Sequence, residues 1–328
     1  MNAMNAQLPD QHGRIKRKLR ISLTDRCNFR CTYCMPEHPA WLPRAQLLSG
    51  PELLRLAGLF VDEGISQIRL TGGEPLLRPD LMAVVDQLQD LKSRGLKRIS
   101  MTTNASRMAP VASRLVRAGI DDFNVSLDAI DGDTFARMTG RGITPVLNGI
   151  AALQDAGAPV KINAVVVRGQ NEHQVLPLLD WCMQRGLSLR YIEYMPLDAP
   201  GHWQRGNVVG EDDILAAIGT AHRVEKLPRG ADPASPYRVD GHFPMGIIST
   251  VTHPFCASCD RLRITATGEL YTCLFSRTGT PLGQRMRAGD DDPAIVRLLR
   301  RAVWNKEPGY ASAPGPVERP LLMHAMGG

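Results

Sequence analysis

Aromatic residues make up only 5% of this 328-residue sequence, and they are not interleaved with its basic stretches. A surface that stacks nucleic-acid bases needs both together, so no nucleic-acid partner is expected. Long apolar runs are missing too, since none approaches the roughly 20 residues of a membrane-spanning helix. Met1 to Gly13 is polar and lacks the apolar core of a signal peptide,. The expectation is a cytoplasmic protein with no membrane partner. Neither sign of charge dominates: 39 basic residues against 33 acidic leave a formal +6. That balance favours anionic small molecules without demanding a polyanion. Cysteine is scarce, at seven, and odd in number. Without a secretion signal this argues against a disulfide framework and for metal or redox chemistry. With 43% hydrophobic and 22% charged residues, the chain can bury a full core,.

From Lys18 to Tyr194, short apolar runs alternate with helical patterns, and each run ends in a polar or glycine-rich cluster. The runs are Leu19–Leu23, Gln67–Leu70, Lys97–Met101, Asp122–Val125, Val160–Val167 and Ser188–Ile192. A helix is expected from Ser49, where Glu52 completes a capping box, Pro51 sits in the first turn, and Leu53, Leu56, Ala57 and Phe60 share one face,. Another is expected over Asp80–Ser93. Such strand–helix units build a parallel sheet with crossover helices, and the singular motifs fall at strand carboxyl ends, where α/β barrels place active sites. Six units predict an α/β fold with a partial (β/α)6 TIM-like barrel; a flat doubly wound sheet is the competing reading. Composition shifts after Pro228, and Arg229–Pro236 reads as a linker,. The division expected is residues 1–228 for the barrel and 229–328 for a smaller C-terminal cluster-binding region, with a hairpin over Leu262–Cys273 and a last helix over Asp292–Trp304.

Six cysteines fall into two groups: Cys27, Cys31, Cys34, and Cys256, Cys259, Cys273. The seventh, Cys182, is expected on a helix as a small buried hydrophobe. The first group, spaced C-x3-C-x2-C, can reach three corners of a cubane cluster. No fourth ligand stands nearby, and an iron held only by inorganic sulfides can accept a chelating molecule. Zinc is the alternative, but it normally takes four ligands and pairs its cysteines as C-x2-C. The run Cys27-Asn28-Phe29-Arg30-Cys31-Thr32-Tyr33-Cys34 resembles the defining motif of the radical S-adenosylmethionine superfamily. That resemblance implies a cluster whose open iron binds S-adenosylmethionine and cleaves it to a 5′-deoxyadenosyl radical. Gly72-Gly73-Glu74-Pro75, one strand–helix unit later, is similar to the superfamily's element for the methionine ammonium, and glycines suit a close approach,.

In the second group, Cys256-Ala257-Ser258-Cys259 is followed by Arg261, Leu262 and Arg263, with Cys273 further on. On a strand, Arg261 and Arg263 point to the same side, and two fixed guanidiniums beside a metal suit phosphate oxygens. A zinc site with His253 as fourth ligand is the alternative here. Two three-cysteine groups, the Cys-x2-Cys-x-Arg-x-Arg run and the terminal Gly327-Gly328 resemble the GTP 3′,8-cyclase family, also called molybdenum cofactor biosynthesis protein A. Leu23-Thr24-Asp25-Arg26-Cys27 and Asn124-Val125-Ser126-Leu127-Asp128-Ala129 agree with it. Met323-His324-Ala325-Met326 departs from its usual isoleucine-bearing end.

The family resemblance implies two [4Fe-4S] clusters with three cysteines each, S-adenosylmethionine contacts at Tyr33, Gly73, Ser126 and Met195, and GTP contacts at Arg20, Arg69, Thr102, Lys161, Arg261, the Leu262 backbone and Arg263. Arg261, Arg263, Gly327 and Gly328 carry over as catalytic. The implied reaction abstracts hydrogen from C3′ of GTP and joins that carbon to C8, giving 3′,8-cyclo-7,8-dihydro-GTP. A low-potential electron donor and a downstream cyclic pyranopterin monophosphate synthase are the implied partners, and the chain is expected as a monomer or homodimer. Two rivals remain: a twin-cluster enzyme modifying a peptide, and a non-catalytic zinc or nucleic-acid module suggested by the basic stretch Arg14 to Arg20.

Overall fold

A computed structural model describes residues 7–197, 202–230, 232–310 and 323–326. A short hairpin, β1 (Leu8–Pro9) with β2 (Ile15–Lys16), precedes β3 (Lys18–Ser22). The long loop after β3 carries the first cysteine group. Helix α1 (Gly50–Asp62) then begins at the expected capping box: the Glu52 amide donates to Ser49 Oγ, and the Ser49 amide donates to Glu52 Oε2 at 2.7 Å. Its Leu53, Leu56, Ala57 and Phe60 are buried, each of the larger ones worth about 1.5–3 kcal/mol of burial,.

The alternation continues through β4 (Gln67–Thr71), α2 (Leu81–Leu88), β5 (Arg98–Thr103), α3 (Ala112–Arg117), β6 (Asp122–Ser126), α4 (Gly132–Thr139), α5 (Thr144–Asp155), β7 (Val160–Val166), α6 (Val175–Gln184) and β8 (Ser188–Glu193). Strands β3 to β8 pair in sequential order, every pair parallel. A doubly wound sheet would reverse its order at a switch point. Here the order runs one way, as in a barrel wall, and the doubly wound reading falls. β7 shows why the pattern works. Val160, Ile162, Ala164 and Val166 are buried, while Lys161, Asn163 and Val165 alternate with them on the other, half-buried face,.

The rest of the chain extends this same sheet at both edges. After α7 (Glu211–Gly219), strands β9 (Val224–Lys226), β10 (Ser235–Val239) and β11 (Phe243–Ile248) add beyond β8, with β11 parallel to it. β12 (Arg261–Ile264) lies parallel to β3, followed outward by β13 (Glu269–Tyr271) and β14 (Thr280–Pro281). Helices α8 (Leu282–Arg287) and α9 (Asp292–Trp304) close the far edge. The boundary expected at 228–229 therefore falls between two paired strands, β9 and β10. Ser235 and Pro236, expected in a linker, instead open β10. Proline keeps its carbonyl, and that of Pro236 accepts the Leu227 amide, so the strand tolerates it,. Cys182 is fully buried on α6, as expected.

One ion cluster away from the cavity gives the fold a pH dependence. His222 Nδ1 lies 2.7 Å from Asp240 Oδ2, and its Nε2 lies 2.7 Å from Asp180 Oδ1 on α6. The bond to Asp240, then that to Asp180, raises the imidazole's pKa above its usual value. A raised folded-state pKa stabilises the protein fully below the unfolded value of about 6.5 and loses that contribution as pH climbs through the folded value. His222→Gln is thus expected to flatten the decline in thermal stability between about pH 6 and 8. Parallel melting curves for parent and variant across that range would contradict this assignment.

Candidate functional site

The two cysteine groups, 222 residues apart at their nearest members (256 − 34), line one cavity at the carboxyl ends of the strands. Cys27, Cys31, Cys34 and Tyr33 line it together with Cys256, Cys259 and Cys273, and Arg20, Gly73, Thr102, Ser126, Met195, Arg261 and Arg263 share its wall. Strand register explains this convergence. Arg263, Arg20, Arg69 and Ser100 are successive partners across β12, β3, β4 and β5. Thr102, Asn124 and Lys161 form a second row, and Ser126, Asn163 and Arg190 a third. Paired residues share a face, so positions scattered along the sequence become neighbours on one wall.

The glycine motif acts mainly on the protein itself. The Gly73 amide donates to Thr24 O and the Glu74 amide to Arg26 O, both at 2.7 Å. Gly72 sits at φ +150, and a Cβ there would lie 2.6 Å from Thr24 O; a Cβ on Gly73 would lie 2.2 Å from Arg26 O. The space a side chain would fill is therefore occupied by the backbone leading into Cys27. Glu74 is fully buried and accepts from Thr103 Oγ1, the Asn104 amide and the Leu76 amide, tying β4 to β5. Burial pushes its carboxyl pKa up against those three bonds.

The electrostatics of the two ends differ. Burial raises the Cys27 thiol to about 11 and Cys34 to about 12, and lifts Cys31 well above its usual value with help from Asp128 and the neighbouring thiols. Asp128 accepts from Tyr33 Oη at 2.7 Å and from the Val165 amide at 2.8 Å, yet burial still pushes it up to about 6. At the other end, burial also works against ionisation of Cys259. The fields of Arg261 and Lys306 outweigh it and settle the thiol at about 6. Arg261 Nη2 lies 3.8 Å from Cys259 Sγ and its guanidinium is 4.9 Å from the Phe255 ring. Phe275, beside Cys273, stacks on Tyr310 at 4.3 Å.

The same wall carries the arginines. Burial, then Arg263, Arg261, Arg69 and Arg190, hold the pKa of Arg20 well below its ordinary value. Two guanidiniums ~6 Å apart repel by about 3 kcal/mol at an effective dielectric near 20. A polyanion reverses the sign of that term. Three further polar atoms are buried without partners nearby: Asn124 Oδ1, Asn163 Oδ1 and Arg69 Nη1. Each such orphan costs about 1–3 kcal/mol, which a ligand can recover.

Arg69, Lys161 and Leu262 do not line the cavity. Arg69 is held by Asp122 at 3.4 Å in the row of Arg20, Lys161 pairs in register with Asn124, and Leu262 is fully buried. Gly327 and Gly328 lie outside the described residues. The preceding His324 lines the cavity, buried and edge-on to Trp41 at 6.0 Å. Arg14, Asn124, Asn163, Arg190 and Lys306 were missed in the sequence. Strand parity could have found two of them, because Asn163 and Arg190 recur at even steps from Lys161 and Ser188.

Both thiol groups fit iron–sulfur clusters. Among the described residues, no three His, Cys, Asp or Glu side chains come together to hold a single metal ion. A polynuclear centre engages each thiolate through a different iron, so three thiols in each group match three corners of a cubane. His253 is exposed and lines a separate groove with Glu211, so it does not complete a zinc site. N–H groups already face the sulfurs: the Phe29 amide and Asn104 Nδ2 donate to Cys27 Sγ at 3.4 and 3.9 Å, and the Phe275 amide to Cys273 Sγ at 3.5 Å.

Comparison with known proteins agrees with this geometry. Residues 21–182 match the family model of the Radical SAM superfamily, and residues 187–312 match that of Molybdenum Cofactor Synthesis C. The sequence is 44% identical to the GTP 3′,8-cyclase of Corynebacterium glutamicum, covering 99% of this chain and 90% of that protein. It is 44% identical to GTP 3′,8-cyclase 2 of Mycobacterium tuberculosis, covering 98% and 92%. Among solved structures, Streptococcus suis SuiB bound to S-adenosylmethionine superposes with a TM-score of 0.60 at 15% identity, over 88% of this chain and 69% of that one. Native anSMEcpe with bound AdoMet gives 0.51 at 17% identity, over 62% and 60%. At such identities the likeness establishes the fold, an α/β partial barrel, and nothing about substrate.

Proposed function

The chain belongs to the GTP 3′,8-cyclase family of the radical S-adenosylmethionine superfamily, enzymes of molybdenum cofactor biosynthesis, and from that premise we propose how its cavity divides the work. Cys27, Cys31 and Cys34 hold the [4Fe-4S] cluster that engages S-adenosylmethionine. Cys256, Cys259 and Cys273 would hold a second cluster, which would supply a binding point for the guanine of GTP. The observation that carries this reading is the single cavity lined by both cysteine groups and by Arg20, Arg190, Arg261 and Arg263.

When bound, the first cluster and S-adenosylmethionine supply the 5′-deoxyadenosyl radical that takes hydrogen from C3′ and so opens the way to ring closure at C8. The protein's own residues orient and enclose. Tyr33, Gly73, Ser126 and Met195 flank S-adenosylmethionine. Arg20, Thr102, Arg261 and Arg263, which line the cavity, hold GTP, and Arg190 joins them because it lines the same cavity and adds to the field on Arg20. Arg69, Lys161 and the Leu262 backbone, set behind that lining, keep their proposed GTP contacts on family resemblance alone. Fixing two reactants in this way can supply about 7–11 kcal/mol. Gly327 and Gly328 keep their proposed catalytic place on family resemblance alone.

In this division of labour, residues 1–228 hold S-adenosylmethionine and one wall of the GTP site, and residues 229–328 supply the second cysteine group with Arg261, Leu262 and Arg263. A low-potential electron donor is required to reduce the first cluster, and a cyclic pyranopterin monophosphate synthase would consume the product. Metal analysis after anaerobic reconstitution tests the cofactor assignment. The expected content is about eight irons with matching sulfide per chain; zinc without sulfide would refute it.

A further inference from the structure

Behind the second cysteine group lies a set of buried charges that the reaction itself does not call for. Lys306 and Lys16 are almost wholly inaccessible, and Arg14 nearly so. Lys16 Nζ donates to Cys259 O and pairs with Asp10 Oδ2, each at 2.8 Å. Arg14 also pairs with Asp10 and donates to the carbonyls of Cys256, Glu307 and Pro308. Asp10 is thus spent on Arg14 and Lys16. Among the described residues Lys306 has no carboxylate hydrogen-bond partner: its ammonium donates to Cys259 Sγ at 3.9 Å, to Arg261 O at 3.4 Å and, closely, to Thr272 O.

We propose that Lys306 is a positioning residue for the second cluster, fixing the Cys259 thiolate and setting the electrostatic field in which that cluster works. This rests on the reading of Cys256, Cys259 and Cys273 as cluster ligands. The match of donors to acceptors carries the argument. An ammonium has three N–H donors, and Lys306 spends them on three acceptors. One is a ligand sulfur, one lies two residues after Cys259, and one immediately precedes Cys273. A single cation delivered from the end of α9 therefore joins the two chain segments that must converge on the cluster. At the first group the donors to sulfur are a neutral amide and a neutral carboxamide on Cys27. The contrast is one of charge as well as position. A cationic donor on a ligand thiolate favours the more negative, reduced cluster and raises its potential.

The test uses the full chain with Cys27, Cys31 and Cys34 replaced by alanine, so that only the second site loads iron. Lys306→Met and Lys306→Arg are then compared with this parent after anaerobic reconstitution. Iron and sulfide are counted, and the midpoint potential is followed by electron paramagnetic resonance. Lys306→Met is expected to shift the reduced-to-oxidised ratio at fixed potential by about tenfold, or about 59 mV more negative for one electron, or to retain iron about tenfold less tightly. Lys306→Arg is expected to restore most of both. A Lys306→Met protein with parent iron content and parent midpoint would overturn the proposal, and so would a Lys306→Arg protein as impaired as Lys306→Met. If Lys306→Met fails to fold by circular dichroism, the Lys306→Arg potential decides. A parent that binds no cluster overturns the second-cluster reading itself, and the role of Lys306 with it.

Discussion

Gly73→Ala should yield a folded protein that has lost the first cluster while keeping the second. A Cβ at this position would lie 2.2 Å from Arg26 O, 2.5 Å from Arg26 C and 2.8 Å from Asp25 O. These are backbone atoms of the segment leading into Cys27, so no side-chain rotation relieves the clash. The loop must move, and it carries Cys27, Cys31 and Cys34 with it. Displacement of a reacting group by about 1 Å can cost 100-fold in rate. Cleavage of S-adenosylmethionine is therefore expected to fall at least about 100-fold, with roughly half the iron lost. The second group, attached through β12 and β13, should still load. Parent iron content and parent cleavage in the variant would show that the loop tolerates the extra carbon, and the packing account would be wrong.

The second large effect is expected at the arginine pair. Arg263 is buried in the row with Arg20 and Arg69, and half-buried Arg261 reaches both Cys259 and Phe255. Removing one partner of a buried, hydrogen-bonded charge pair costs about 2–5 kcal/mol, or roughly 30- to 5,000-fold in kcat/KM. Arg261→Ala and Arg263→Ala should each lose GTP cyclisation on that scale. Neither lies at the first cysteine group, so S-adenosylmethionine cleavage should survive, uncoupled from cyclisation. Variants that form cyclic product at the parent rate would remove this pair from the triphosphate site.

Much of this was legible in the sequence because its signals are local. The cysteine spacing, the capping box at Ser49 and Glu52 and the period-2 pattern of β7 each need only a few neighbouring residues. The glycine motif was legible as a motif but not as a reason. Its glycines make room for the Thr24–Arg26 backbone, a contact made across an intervening helix. Arg190 and Asn124 were invisible for a different cause. A lone polar residue on a strand acquires meaning only through its register partners, and register is a tertiary property. Arg14 and Lys306 reach Cys256 and Cys259 across 242 and 47 residues, and a buried lysine looks like a surface lysine until its surroundings are known. Pro236 hid β10 because proline usually marks the end of a strand,.

The central claim is that the two cysteine groups face a single GTP molecule from opposite ends of one cavity. It is tested most directly by incubating the reconstituted enzyme anaerobically with S-adenosylmethionine, a reductant and GTP carrying deuterium at C3′. The 5′-deoxyadenosine formed is then weighed by mass spectrometry. The account predicts that it carries one deuterium per molecule and accumulates together with the 3′,8-cyclised nucleotide. Unlabelled 5′-deoxyadenosine beside unchanged GTP would contradict it.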